Sequence, residues 1–243
     1  MTERKKQSRS TDQGEHAARP SAGPITGEVA LASEEATASF GRGLASVLRA
    51  GDVVKLTGDL GAGKTTLVRA IASALGVPSG MVSSPTFVLI NVYPFGPGEN
   101  WPRAGRLIHV DAYRAHGTET LANAGWDGLF DDSGVPRAES AAVIEWPERI
   151  AAALPPNAAE ITLETTAVES RLARVFLPES WRSRPGADFL AWREPTRCRL
   201  TGIWVDPTNP NYPFASAKGR LADLGNWLGG NYRIGGKGEA SSE

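Results

Sequence analysis

The residues best placed to do chemistry lie in one short run, Gly58-Asp59-Leu60-Gly61-Ala62-Gly63-Lys64-Thr65. The run fits G-x-x-x-x-G-K-[ST], the pattern of a loop that wraps phosphate. Glycines let successive N–H groups curl inward into a nest for anionic oxygens, and a helix beginning at Thr65 would aim the positive end of its dipole at the same spot. Lys64 can reach the β- and γ-phosphates, and the Thr65 hydroxyl can ligate Mg²⁺. The competing reading is a tight glycine turn ahead of a core helix. The context favours phosphate: "DVVKLT" before the loop reads as a buried strand, and Leu67, Val68, Ile71 and Leu75 after it recur at helical spacing. A bound nucleoside triphosphate is therefore expected, gripped by Asp59, Leu60, Gly61, Ala62, Gly63, Lys64, Thr65 and Thr66.

Hydrolysis needs more than a grip on phosphate. Mg²⁺ must also be held from a second side, and a water must be oriented. The usual source is an acid at the end of an apolar strand, and two segments qualify: "RLIHVD", ending in Asp111, and "AAVIEW", with Glu145 before its last residue. Parallel strands beside the phosphate-loop strand would bring both acids to one crevice. "SSPTF" reads as a turn into a strand, in which Thr86 is a hydroxyl for Mg²⁺ or the γ-phosphate or simply a strand cap. His16, His109 and His116 lack ligand spacing, so a zinc site is not expected.

The elements that must position these groups follow from the pattern. Residues 1–27 are polar and are expected to be a disordered leader. A helix starts at Ser33, an N-cap followed by Glu34 and Glu35, and stops near Gly51. Further strands are expected at 86–93, 106–110, 141–145, 160–165 and 172–177. The fold class is α/β: a three-layer, phosphate-loop-NTPase-like arrangement with a mixed, mostly parallel central sheet and helices on both faces. The catalytic domain is expected over 28–178. Residues 179–243, with four of the seven tryptophans and weak periodicity, are expected to form an irregular or disordered extension.

Composition sets the outer limits. The chain has 243 residues, 26 basic and 27 acidic, so bulk charge does not announce a nucleic-acid binder. Its one cysteine, Cys198, excludes an internal disulfide framework. No apolar run approaches a bilayer span, and no hydrophobic segment follows "MTERKKQSRS", so a cytoplasmic location is expected.

Together, "GDLGAGKTT", "SPTF", "HVDAYR" and "EWPER" resemble, in order and separation, the TsaE (YjeE-type) P-loop ATPases required in bacteria for threonylcarbamoyladenosine at position 37 of tRNA. The resemblance covers roughly residues 30–178. It implies that ATP or ADP sits on Lys64 and its loop, and that Thr65 and Glu145 hold Mg²⁺. It further implies that Asp111 is the acid critical for hydrolysis, that Thr86 belongs to a switch-like segment and that Trp146 lies close to the nucleotide. Ser33 would approach the adenine, and Arg171 or Arg174 would approach the nucleotide. It also implies partners, a TsaD-type transferase and a TsaB-type subunit, with slow hydrolysis in isolation. The polar leader, the long C-terminal extension and the stretch "DDSGVPRAES" depart from the family pattern.

Two other functions fit a phosphate loop. One is a small-molecule kinase, for which Arg103 and Arg106 beside the 94–105 loop are thin support. The other is a nucleotide-sensing module with negligible turnover. A GTPase is disfavoured by the lack of an NKxD-like motif.

Overall fold

The structure is a computed structural model. It describes residues 22–78, 80–82, 89–98, 101–115, 118–191, 196–198, 200–205, 211, 214–219 and 221–222. Thr86 of the "SPTF" segment lies outside the described residues.

Seven strands form one sheet: β1 (Ile25–Leu31), β2 (Val53–Thr57), β3 (Ile90–Phe95), β4 (Gly105–Asp111), β5 (Ser140–Glu145), β6 (Ala159–Thr165) and β7 (Arg171–Leu177). Their spatial order is β1-β7-β6-β2-β5-β4-β3. Strands β6, β2, β5 and β4 run parallel, while β7 and β3 run against their neighbours. The sheet is thus mixed and mostly parallel, as the alternation of strands and helices requires. Its centre reads as near-continuous apolar sequence because both faces of β5 are buried.

One face is covered by α1 (Glu34–Val47) and α2 (Lys64–Ala74), which pack against each other over the sheet. Their closest approach is at Gly41, where a Cβ would stand 2.5 Å from the Cβ of Ala70. Phe40, Leu44, Leu67 and Ile71 face inward at helical spacing onto Val54, Leu56, Ile161 and Val175. The opposite face is covered across β2, β5, β4 and β3 by α3 (Thr118–Asn123), α4 (Trp126–Leu129) and the 3-10 segment Pro147–Ala153, with Trp126, Phe130 and Ile150 packed on Ile108, Val110 and Ile144. At the β6-β7-β1 end that face carries polar side chains, including a Glu28–Arg174–Glu164 ladder with all three partly exposed.

Two features sit outside the sequence expectation. The first is β1, which starts at Ile25, inside the stretch expected to be a disordered leader. Ile25, Val29 and Leu31 are buried, and the strand pairs antiparallel with β7. Its partner lies about 150 positions later in the chain, so no local pattern announces the pairing. The second is the segment after β7. Two 3-10 turns, Glu179–Ser183 and Ala187–Leu190, lie against α1 and β1 and bury Trp181, Ala187, Leu190 and Ala191 in the main core. Arg184 grips both carboxylate oxygens of Asp52, donates to the Val47 carbonyl and stacks 4.1 Å over Trp181. Gly27 lets this segment cross β1, since a Cβ there would meet the Ala191 carbonyl oxygen at 1.9 Å. Beyond it a two-strand hairpin pairs Thr196–Arg197 (β8) with Trp204–Val205 (β9). Among the described residues no helix is long and apolar enough to cross a membrane.

Candidate nucleotide site

The loop between β2 and α2 is built by its glycines. Gly58, Gly61 and Gly63 have φ of 132°, 79° and 99°, a region L side chains rarely adopt. Gly58 is doubly required: a Cβ there would stand 2.2 Å from the Leu163 carbonyl oxygen of β6. Gly63 opens α2, and among the described residues no side chain caps that helix, an arrangement in which a helix N-terminus can take an anion. Ala62 is buried and anchors the loop, while Asp59, Leu60 and Gly61 form its exposed apex.

Lys64 is 4% exposed and folds back over the loop. Its Nζ donates to the carbonyl oxygens of Gly58 (2.7 Å) and Asp59 (2.9 Å) and stands 3.8 Å from the centre of the Trp146 ring. Burial lowers its pKa below the ordinary 10.5. The carboxylates of Glu145, Asp111, Glu148 and Asp59 oppose that shift. One buried ammonium thus faces four carboxylates.

The two strand-end acids lie abreast, because the parallel register of β4 and β5 sets Asp111 beside Glu145. Glu145, 3% exposed, accepts hydrogen bonds from the Thr65 hydroxyl at 2.9 Å to Oε1 and 3.1 Å to Oε2. These residues are 80 positions apart in the chain, yet the fold brings them together. Asp111 begins a 3-10 turn (Ala112–Arg114) by accepting from the Tyr113 amide at 3.1 Å. Arg114, at the end of that turn, is exposed.

Trp146 follows Glu145 with φ 58° and ψ 48°, a left-handed conformation costly for a bulky side chain. That kink turns the ring onto Lys64 on one side and toward Tyr113 on the other, with ring centres 5.0 Å apart.

Ser33 caps α1 by accepting from the Ala36 amide. It also lines a cleft of about 480 Å³ with Thr37, Gly63, Thr66, Glu169 and Arg171, so the cleft opens beside the start of α2. Of the two candidate arginines, the structure puts Arg171 at the loop: its Nε donates to the Ala62 carbonyl at 3.0 Å. Arg174, three residues on, falls on the opposite face of β7 and joins the polar ladder.

One residue at the site was missed by sequence reasoning. His109 is fully buried, and its Nε2 lies 2.9 Å from Glu145 Oε1. It was set aside for lack of metal-ligand spacing. The available signal was parity, since His109 and Asp111 lie two apart on one strand and so share a face.

With this geometry in place, comparison with known proteins is informative. The family model described as threonylcarbamoyl adenosine biosynthesis protein TsaE matches residues 31–173. A second model, described as DNA gyrase inhibitor YacG, matches residues 195–243. The chain is similar to the tRNA threonylcarbamoyladenosine biosynthesis protein TsaE of Streptomyces coelicolor, 49% identical over 110 residues that span 45% of this chain and 66% of that one. The like-named protein of Mycobacterium leprae is 40% identical, over 57% of this chain and 83% of its own. The crystal structure of Bacillus subtilus YdiB superimposes with a TM-score of 0.46 at 22% identity, covering 65% of this chain and 88% of that one. By the extent of the matched model, which takes in the loop, both strand-end acids and the first residues of β7, the chain belongs to the TsaE family.

Proposed function

We propose that the protein is an ATP-binding, slowly hydrolysing ATPase that supports a TsaD/TsaB-type transferase complex in forming threonylcarbamoyladenosine on tRNA, in the cytoplasm. The observation that carries the nucleotide reading is the hydrogen bond of Thr65 to Glu145 at the mouth of a loop whose three glycines hold positive φ.

The residues present fit Mg²⁺. Magnesium prefers one or two protein oxygens with phosphates and waters completing the shell. Among the described residues no group of three or more His, Cys, Asp or Glu could hold a metal by protein ligands alone, whereas Thr65 and Glu145 offer a hydroxyl and a carboxylate side by side. When bound, the ion would neutralise charge on the β- and γ-oxygens. The chain's own groups do the rest. Lys64 leaves the loop carbonyls for the polyphosphate, the α2 amides hold the phosphate oxygens, and Asp111 orients the attacking water. Ser33 and the cleft beside it receive the adenine. Arg171 braces the loop through Ala62.

Partner dependence follows from what the site lacks. Phosphoryl transfer without an arginine on the developing charge is slower by about 10³–10⁵, and Arg171, which among the described residues contacts the loop, holds main-chain carbonyls there. The test is phosphate release from Mg·ATP by the full chain, alone and with the TsaD-type and TsaB-type proteins. Stimulation by the complex, abolished in Asp111→Asn, is expected. Equal rates with and without the partners would defeat the reading, and a phosphorylated small molecule would favour a kinase.

The match over 195–243 favours a second role for that segment, a docking module for a type II DNA topoisomerase. Inhibition of supercoiling by the full chain, lost on truncation after residue 191, would support it. Identical supercoiling in the presence of either form would exclude it.

A further inference from the structure

The buried pair His109–Glu145 is more than the proposed reading requires. His109 has no exposed surface, and among the described residues its Nδ1 has no hydrogen-bond partner. The ring centre lies 6.4 Å from that of Tyr93, whose hydroxyl is buried and likewise unpartnered among the described residues. As a filler of core space this is a poor choice: an orphaned ring nitrogen in an apolar setting costs stability that a leucine would not. Among the described residues the ring's polar bond goes to Glu145, 36 positions away on the neighbouring strand.

Glu145 needs such a bond. A glutamate side chain is long, and its terminal torsion is broad and roughly two-fold. Asp111 stands beside it in the ladder register and repels it. Thr65 contacts both oxygens at similar distances and so does not by itself fix the carboxylate's rotation. Metal ligands are ordinarily held by an outer partner that sets their orientation.

We propose that His109 is a positioning residue for the metal-ligating carboxylate. Its Nε2–H donates to Glu145 Oε1 and fixes the rotation of a carboxylate whose two oxygens both lie within reach of the Thr65 hydroxyl. The inference rests on the reading of Glu145 as a Mg²⁺ ligand.

The test separates the two. Mn²⁺, standing in for Mg²⁺, is titrated by electron paramagnetic resonance into the full-length protein with ADP, and ADP affinity is measured separately in chelator. His109→Leu should weaken Mn²⁺ binding by about 10–100-fold while metal-free ADP affinity stays within about threefold. His109→Gln, whose amide can donate to Glu145, should recover most of the loss. In His109→Leu combined with Glu145→Gln, the effect should equal that of Glu145→Gln alone. If Glu145→Gln itself leaves Mn²⁺ binding intact, the ligand assignment fails. If Glu145→Gln weakens it and His109→Leu does not, or if His109→Leu weakens metal-free ADP equally, the positioning role fails. Should His109→Leu not fold, ¹⁵N-histidine spectra of the unaltered protein decide. The His109 Nε2 signal, assigned by its loss in His109→Gln, should move on adding Mg²⁺ to the ADP complex, and a stationary signal overturns the proposal.

Discussion

Replacing Lys64 with alanine removes the one ammonium group buried in the loop. That group bonds the Gly58 and Asp59 carbonyls at 2.7 and 2.9 Å, so on the proposed reading binding exchanges two charge-assisted bonds for others to phosphate. Each such bond contributes about 1.5–3 kcal/mol. Because the exchange recovers part of what it breaks, the net loss in Lys64→Ala should equal roughly one bond, or about 10–150-fold in affinity. Lys64→Met keeps the stem packed near Trp146 and should lose a similar factor, which assigns the effect to charge. Calorimetric titration with ADP reads the affinity, and circular dichroism checks the fold. Trp146 fluorescence, isolated by subtracting a Trp146→Phe spectrum, should change in both variants because the cation stands 3.8 Å over the ring. A folded Lys64→Ala protein binding ADP within about threefold of the parent would refute the phosphate role.

Other outcomes follow from the same geometry. Burial lowers the Lys64 pKa below the ordinary 10.5; nucleotide favours the protonated form, so ADP affinity should fall as pH rises, the fall setting in below that value, and Lys64→Met should flatten the curve. Arg171→Ala should weaken ADP binding by loosening the loop at Ala62, whereas Arg174→Ala, an exposed ladder residue, should leave it unchanged when both are titrated side by side. Arg184→Ala strands the largely buried Asp52 and should cost about 3 kcal/mol, lowering the melting temperature by roughly 6–12 °C in a chain of this size.

Much of this was legible because the local signals agreed with the global fold. The strand "DVVKLT", the glycine loop and the stripe of Leu67, Val68 and Ile71 each specify one unit, and that unit is where the sequence placed it. Asp111 and Glu145 were singled out because a phosphate loop calls for acids at the ends of neighbouring apolar strands, and the register of β4 and β5 sets the two side by side. What escaped notice depends on distant pairing. Strand β1 contains a glycine and two polar residues among its seven, and β7 alone pairs with it in the sheet. Trp181 and Leu190 lack periodicity because 3-10 turns impose none that persists. The choice between Arg171 and Arg174 was open in sequence because the match to the family slips by a residue or more at the final hairpin. Once the strand is fixed, odd spacing puts them on opposite faces.

The charge arrangement explains why these elements converge at one end of the sheet. Strands β2, β5 and β4 are parallel, so the loop, Glu145 and Asp111 all lie at their C-terminal ends, where an open α/β sheet has its crevice. There a single ammonium faces the carboxylates of Glu145, Asp111, Glu148 and Asp59. A polyphosphate arriving without a cation would add its charge to theirs, and the α2 dipole supplies only about half a charge to offset it. On the proposed reading the divalent ion therefore strengthens nucleotide binding beyond what Lys64 and the dipole supply. If Glu145 is the carboxylate that holds it, a partner that fixes Glu145 offsets the cost of a buried histidine whose Nδ1 has no partner among the described residues.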